Sequence, residues 1–114
     1  MIQFKKISSA KPFQIFKKKY DEATLNGERN IEALCISSYS PSTKEVNARY
    51  VNLKIVDNEE FIFFTNYNSP KSTEFISHNQ VSIVLYWRSI NLQIRMKALI
   101  EKTSVEYNKK YFLE

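Results

Sequence analysis

The residues of this chain best suited to chemistry stand at the ends of two neighbouring predicted strands. Arg49 and Lys54 bracket one basic stretch, Arg49-Tyr50-Val51-Asn52-Leu53-Lys54, and Thr65, Asn66, Ser69 and Lys71 crowd the end of the next. Arginine offers a planar fork to a phosphate and lysine a compact point charge. Ser69-Pro70-Lys71 also reads as a helix start, with Ser69 as N-cap and Pro70 in the first turn. A helix start presents free backbone N–H groups and a positive dipole end to an anion. Together these groups form a candidate phosphate-binding corner, while Ser69 taken alone is equally a simple cap.

The remaining reactive residues point elsewhere. His78, the single histidine, has no acidic or thiol partner near it in sequence, and reads as a residue at a helix C-terminus. Cys35 sits in a short apolar stretch and reads as a small core residue. Trp87 ends a strand, where core or interface packing is the commoner role and ring stacking the alternative. Gln93 alternates with Leu92 and Ile94 and therefore points out of its strand's apolar face. No metal-ligand spacing and no paired carboxylates with a shared task are present. Any catalysis would need chemistry brought by a cofactor.

The elements that must position these residues are mostly strands. Residues 1–11 read as a polar, basic arm. Pro12 to Leu25 reads as a helix with Phe13, Phe16 and Tyr20 on one face and Lys17, Lys18 and Lys19 largely off it, closed by Asn26-Gly27. Ala33-Leu34-Cys35-Ile36 reads as a short buried strand. From Glu45 to Val56 the pattern alternates, with Val46, Ala48, Tyr50 and Asn52 against Asn47, Arg49, Val51, Leu53 and Ile55. Arg49 thus shares a face with apolar residues and needs a partner there. Asp57-Asn58-Glu59 makes a hairpin turn into a strand over 61–65. A helix from Ser69, a strong strand over 80–87, a turn at 88–91 and an alternating strand over 92–102 follow. Residues 104–112 read as a last helix. Five strands, largely in hairpin succession with one helix between the third and fourth, imply a mainly β fold: an antiparallel sheet curled into a small barrel with flanking helices. Exposed strand edges would make dimerisation a natural cover.

Composition bounds the function. At 114 residues the chain is one domain, and 43% apolar with 14% aromatic residues is a globular composition. The net charge of +5 favours an anionic partner: a phosphorylated small molecule, nucleic acid or a membrane surface. One cysteine excludes an internal disulfide and a cysteine zinc site. One glycine, Gly27, excludes both the Rossmann fingerprint and the P-loop, so any nucleotide phosphate must be held without a glycine-rich loop. No signal peptide and no apolar run of bilayer length is evident; the expectation is a cytoplasmic protein with no membrane partner.

Five short motifs in order resemble the pyridoxamine 5'-phosphate oxidase-like FMN-binding split barrels. They are Arg49-Tyr50-Val51-Asn52-Leu53-Lys54, Phe63-Phe64-Thr65-Asn66, Ser69-Pro70-Lys71, Trp87 with Leu92-Gln93-Ile94-Arg95, and Tyr111-Phe112. The resemblance covers roughly residues 32–112. It implies an antiparallel split β-barrel that binds FMN, forms a homodimer with flavin at the interface, and acts as a flavin-dependent oxidoreductase on a small-molecule substrate or electron donor. It implies that Arg49 and Lys71 bind the FMN phosphate with Ser69 nearby, and that the backbone of Tyr50, Val51, Asn52 and Leu53 and of Phe64 and Thr65 lines the isoalloxazine. Lys54 would lie near the ring and substrate, Tyr111 on the substrate side, and Gln93 would reach the flavin of the other subunit. Pro70 stands where the family carries Arg or a similar residue, and Phe64 where it commonly has Tyr. The oxidases carry a further C-terminal section beyond the matched residues, with another Trp and Arg toward FMN; FMN binding is the expectation that depends on it least. The alternative is a non-enzymatic small-barrel binding module for single-stranded nucleic acid or for another cofactor such as haem. Nucleic acid is disfavoured because the basic residues are dispersed.

Overall fold

The computed structural model describes residues 1–64, 77–101 and the backbone of 102 and 110–113. Among these, seven strands and one α-helix follow in the order β1 (Gln3–Ile7), α1 (Lys11–Leu25), β2 (Ala33–Ser40), β3 (Glu45–Asn58), β4 (Glu60–Phe64), β5 (Gln80–Trp87), β6 (Leu92–Lys102) and β7 (Lys110–Leu113), with a single 3₁₀ turn at Arg88–Ile90. The predicted helix from Ser69 lies outside the described residues.

The long strands β3 and β6 close the barrel. The first part of β3 pairs antiparallel with β2, from Asn52↔Ala33 to Glu45↔Ser40; its second part pairs antiparallel with β4, from Leu53↔Phe63 to Asp57↔Glu60. The register shifts between Leu53 and Ile55. Such an irregularity bends a strand and lets it serve two sheets. In the same way β6 pairs with β5 over Leu92–Leu99 and with β7 from Ile100. With β2–β5 and β4–β7 also antiparallel, the ladder returns to its starting strand through β3–β4. Closure removes the sheet edges along the ring.

The alternation predicted for β3 and β6 is the one observed. Val51, Leu53 and Ile55 are buried, while Tyr50 and Asn52 are exposed; Ala98 and Ile100 face inward, while Gln93, Arg95, Lys97 and Leu99 face out. The barrel interior is filled by Leu34, Ile36, Leu53, Phe63, Ile83 and Leu85. Helix α1 spans Lys11–Leu25 with Pro in its first turn, and presents Phe16, Tyr20 and Ala23 to this core. Phe16 lies 5.1 Å from Phe61 and 5.4 Å from Trp87, ring to ring, so the helix plugs one end of the barrel with aromatics. Its lysines are less solvated than expected: Lys17 and Lys19, both half-buried, pair with Asp21 and Glu22 one turn on, and Lys17 also lies over the Phe4 ring. The helix closes at Asn26, and Gly27 follows at φ 74°, which glycine adopts without a steric cost.

Three expectations are corrected. The N-terminal arm is a strand: β1 lies parallel to the end of β3, Gln3 opposite Ile55, because Ile2 is buried and Phe4 stacks edge-on against Tyr20. The last segment, expected to be a helix to residue 112, ends in β7, which pairs with both β4 and β6 and so completes the ring; residues 103–109 lie outside the described residues. Strand β2 alternates and is longer than its apolar start suggested. Leu34, Ile36, Ser38 and Ser40 point inward, and Cys35 points away from the core, half-exposed.

Trp87 ties these parts together. It is 1% exposed, and its indole Nε1 donates to the carbonyl oxygen of Ile31 at 2.9 Å, just before β2 begins. Replacing Trp87 with Phe leaves that carbonyl without its donor and shortens the aromatic plug. The expected loss is about 1–3 kcal/mol for the orphaned buried acceptor alone, read as a lower urea midpoint at unchanged slope; an unchanged midpoint would remove Trp87 from this role.

Candidate functional site

Strand β3 carries most of the candidate residues, and its pairing decides what they can reach. From Tyr50 to Asn52 one edge is occupied by β2. Strand β4 begins to pair only at Leu53, and among the described residues no strand lies along the other edge of Tyr50–Asn52. Main-chain N–H and C=O groups that no neighbouring strand takes up are able to bond a planar heterocycle edge-on.

Arg49 stands opposite Ile36 on the inward side of β3, half-buried, and its Nη1 donates to the hydroxyl of Ser38 at 3.2 Å. Ser38 is 2% exposed and Ser40 also faces inward at the same end of β2. The barrel therefore has an aromatic end at Trp87 and a hydroxyl-rich, cationic end at Arg49. The need of an inward arginine for a polar partner is met by Ser38, and a guanidinium held beside a buried hydroxyl suits an anion. A small hollow of about 170 Å³ opens beside Ser37, Ser38, Tyr39, Gln80, Ser82 and Lys97.

Lys54, on the outward side beyond Asn52, is engaged. Its Nζ lies 3.0 Å from Glu32 Oε1, and Glu32 Oε2 lies 2.9 Å from the amino group of Met1. The backbone fixes this cluster: Leu53 N–H donates to the Glu32 carbonyl at 2.7 Å, and Ile2 N–H donates to the buried Tyr20 hydroxyl at 3.0 Å. The hydrogen bond from the Met1 amino group, then that from Lys54, hold the Glu32 carboxyl below its ordinary value, against the opposing push of burial. Glu32 was not among the residues expected at a site; its place immediately before β2, opposite the end of the basic stretch, becomes visible only through the β2–β3 register.

Phe64 follows Phe63 at the end of β4 and is about half exposed. Thr65, Ser69 and Lys71 lie outside the described residues, as does the side chain of Tyr111, whose backbone on β7 pairs with Phe63. Gln93 pairs with Tyr86 on the outward face of β6, three strands from β3 through β5 and β2. At about 4.8 Å per strand, that is roughly 14 Å. The structure thus brings Tyr50 to Lys54 and Phe64 to one side of the barrel and sets Gln93 apart. His78 stacks edge-on against Tyr39, ring centroids 5.5 Å apart. Among the described residues no group of three or more His, Cys, Asp or Glu could hold a metal, and no helix is long and apolar enough to cross a membrane. A groove of about 260 Å³ between α1 and β6 is lined mainly by apolar residues such as Phe13, Phe16, Leu92 and Ile94, and includes none of the expected site residues.

No protein-family model matches the chain. Among curated proteins it is 37% identical over 105 residues to the pyridoxine/pyridoxamine 5'-phosphate oxidase of Colwellia psychrerythraea, covering 92% of this chain and 48% of that enzyme. It is 36% identical over 105 residues to the oxidase of the same name from Microcystis aeruginosa, 92% of this chain and 49% of that enzyme. The chain spans about half the length of the curated relatives it matches. Among solved structures, PhzG from Burkholderia lata 383, crystallised with tetrahydrophenazine-1-carboxylic acid, superposes with a TM-score of 0.77 at 23% identity, over 83% of this chain and 46% of that one. A pyridoxamine 5'-phosphate oxidase-related, FMN binding protein from Nostoc punctiforme superposes with a TM-score of 0.72 at 15% identity, over 85% of this chain and 50% of that one. The fold is therefore the split barrel that the motif order implied.

The Glu32 cluster sets a pH dependence. Because the folded carboxyl titrates below its ordinary 4.5, its contribution to stability is present above about pH 4.5 and is lost as pH falls through the lowered folded value. Glu32→Gln should be less stable than the unaltered chain at pH 7, with the gap narrowing as urea midpoints are followed into acid. A gap that is flat with pH would refute the assignment.

Proposed function

We propose that this pyridoxamine 5'-phosphate oxidase-like split barrel binds FMN and works as a flavin-dependent oxidoreductase on a small molecule, as a homodimer with the flavin at the interface. The observation that carries the reading is 37% identity over 92% of the chain to an oxidase of that family, in a chain whose Arg49–Lys54 motif runs along β3 where it passes from β2 to β4. The residues present fit the cofactor. The half-buried Arg49 among inward hydroxyls is suited to a phosphate, and the Tyr50–Asn52 edge offers main-chain groups to a flat ring.

In this reading Arg49 and Lys71 anchor the FMN phosphate with Ser69 beside them. The backbone of Tyr50, Val51, Asn52 and Leu53, with that of Phe64 and Thr65, orients the isoalloxazine. Bound FMN supplies the transfer of hydride or electrons. The chain's own task is to anchor, orient and keep water from the ring, with Lys54 and Tyr111 toward the substrate. The dispersal of the basic residues, with Lys17, Lys19 and Lys54 in ion pairs, favours a small-molecule partner over nucleic acid.

The homodimer rests on the outward face of the β3–β2–β5–β6 sheet. Tyr50, Cys35, Val84 and Arg95 form one row across its four strands. Tyr50 is 78% exposed and Tyr86 54%, with Val46, Val84 and Leu99 also open on the same face. A contiguous apolar patch rimmed by polar groups is the usual mark of an interface. Gln93 lies on this face, while Arg49 points inward three strands away, so the two serve one flavin only if the partner's Gln93 supplies the second contact. A cytoplasmic location goes with this reading, the single cysteine requiring no oxidising compartment.

Two outcomes test it. Arg49→Ala and Lys71→Ala each remove a charge-assisted phosphate contact of about 1.5–3 kcal/mol, so FMN affinity by flavin fluorescence should fall roughly ten- to hundredfold; equal affinity in both variants counts against the phosphate assignment. Val84→Glu places a charge in the outward row, and sedimentation should show a monomer with weakened FMN retention. A dimer that survives this change would mean the copies meet elsewhere.

A further inference from the structure

Outside the phosphate corner, one charged group is built into the site's edge with no role yet given to it. Glu32 is 19% exposed at its side chain and 3.0 Å from Lys54 Nζ. It is not placed there by chance rotamers. Its own carbonyl accepts from Leu53 N–H, so residue 32 is locked beside residue 54 by the backbone, and its second oxygen is held by the Met1 amino group. Lys54 lies two residues beyond Asn52 on the outward side of the strand whose backbone lines the proposed ring. A cation there acts on the ring with whatever charge its counter-ion leaves uncompensated.

We infer that Glu32 sets the charge that Lys54 presents to bound FMN, and so acts as a positioning and tuning residue for the flavin's reduction. The inference rests on the FMN reading above. Reduction of oxidised flavin by two electrons and one proton leaves it one unit more negative. Positive charge near the ring therefore favours the reduced form and negative charge opposes it. With Glu32 at its side, Lys54 is held at one place and partly neutralised. This is a compromise between a bare cation, which would keep the flavin reduced, and no cation, which would leave the added negative charge unsupported.

The test is a reductive titration of the FMN-loaded protein with dithionite and reference dyes. Glu32→Gln removes the counter-ion and should move the potential of bound FMN to a more positive value. Lys54→Met removes the cation and should move it to a more negative one. Glu32→Asp, which keeps the charge, should stay near the unaltered protein. A merely structural role would loosen the pocket and carry both Glu32→Gln and Lys54→Met in the same direction, toward free FMN; that result, or an unmoved potential in Glu32→Gln with FMN retained, overturns the inference. If Glu32→Gln does not hold FMN, Lys54→Met decides: a more negative potential supports the pair's role, and an equal or more positive one overturns it. Failure of the unaltered chain to bind FMN overturns the FMN reading and this inference together, whereas bound FMN with unresponsive potentials overturns only the latter.

Discussion

Strand β3 is the constraint on which the rest of the structure depends. Its fourteen residues belong to two sheets, with β2 along the first part and β4 along the second, and the register slips once, between Leu53 and Ile55. At that slip the strand bends and the ring of strands can close. Among the described residues β4 pairs with β3 only from Leu53 onward, so the same bend that closes the ring also marks where β3 passes from one partner to the next. The alternation of β3 does the rest, sending Arg49, Val51 and Leu53 inward and Tyr50 and Asn52 outward from a single backbone.

The interior shows a gradient that this bend makes possible. Near Trp87 the barrel is filled by rings, with Phe16 and Tyr20 brought in from α1 and Phe61 from β4. Toward the other end β2 contributes Ser38 and Ser40 in place of Leu34 and Ile36, and Arg49 donates to Ser38. A buried charge is tolerated only with partners, and the inward serines supply polar groups where an apolar β2 would not. The stable end and the chemical end are separated along the same two strands.

Much of this was legible in the sequence. The period-two patterns of β3 and β6 separated Val51, Leu53 and Ile55, and Ala98 and Ile100, from their exposed neighbours, because one face of each strand is buried there and the other is not. The motif order pointed to the split barrel before any contact was known. What was missed has a common cause. Strand β1 looks like a basic arm because Lys5 and Lys6 dominate it; its place in the sheet depends on Ile2 and Phe4 finding α1 and β3, which are distant in sequence. Strand β7 lies at the end of a segment whose local pattern resembles a helix, and its partners β4 and β6 are what make it extended. Cys35 was read as core because an apolar run does not declare which residues face in. Long-range pairing overrides local preference at each of these places.

Glu32 illustrates the same limit at the site. In the sequence it is one acidic residue in a loop before a strand, twenty-two positions from Lys54. The β2–β3 hairpin brings the two together, and Leu53 N–H to the Glu32 carbonyl holds them at fixed height. A lysine read from its motif alone is a free cation. In the folded chain it is half of an ion pair whose other member is also gripped by the Met1 amino group. What a basic residue can reach is set by its partners in place, and here the partner of Lys54 is a residue no motif contains.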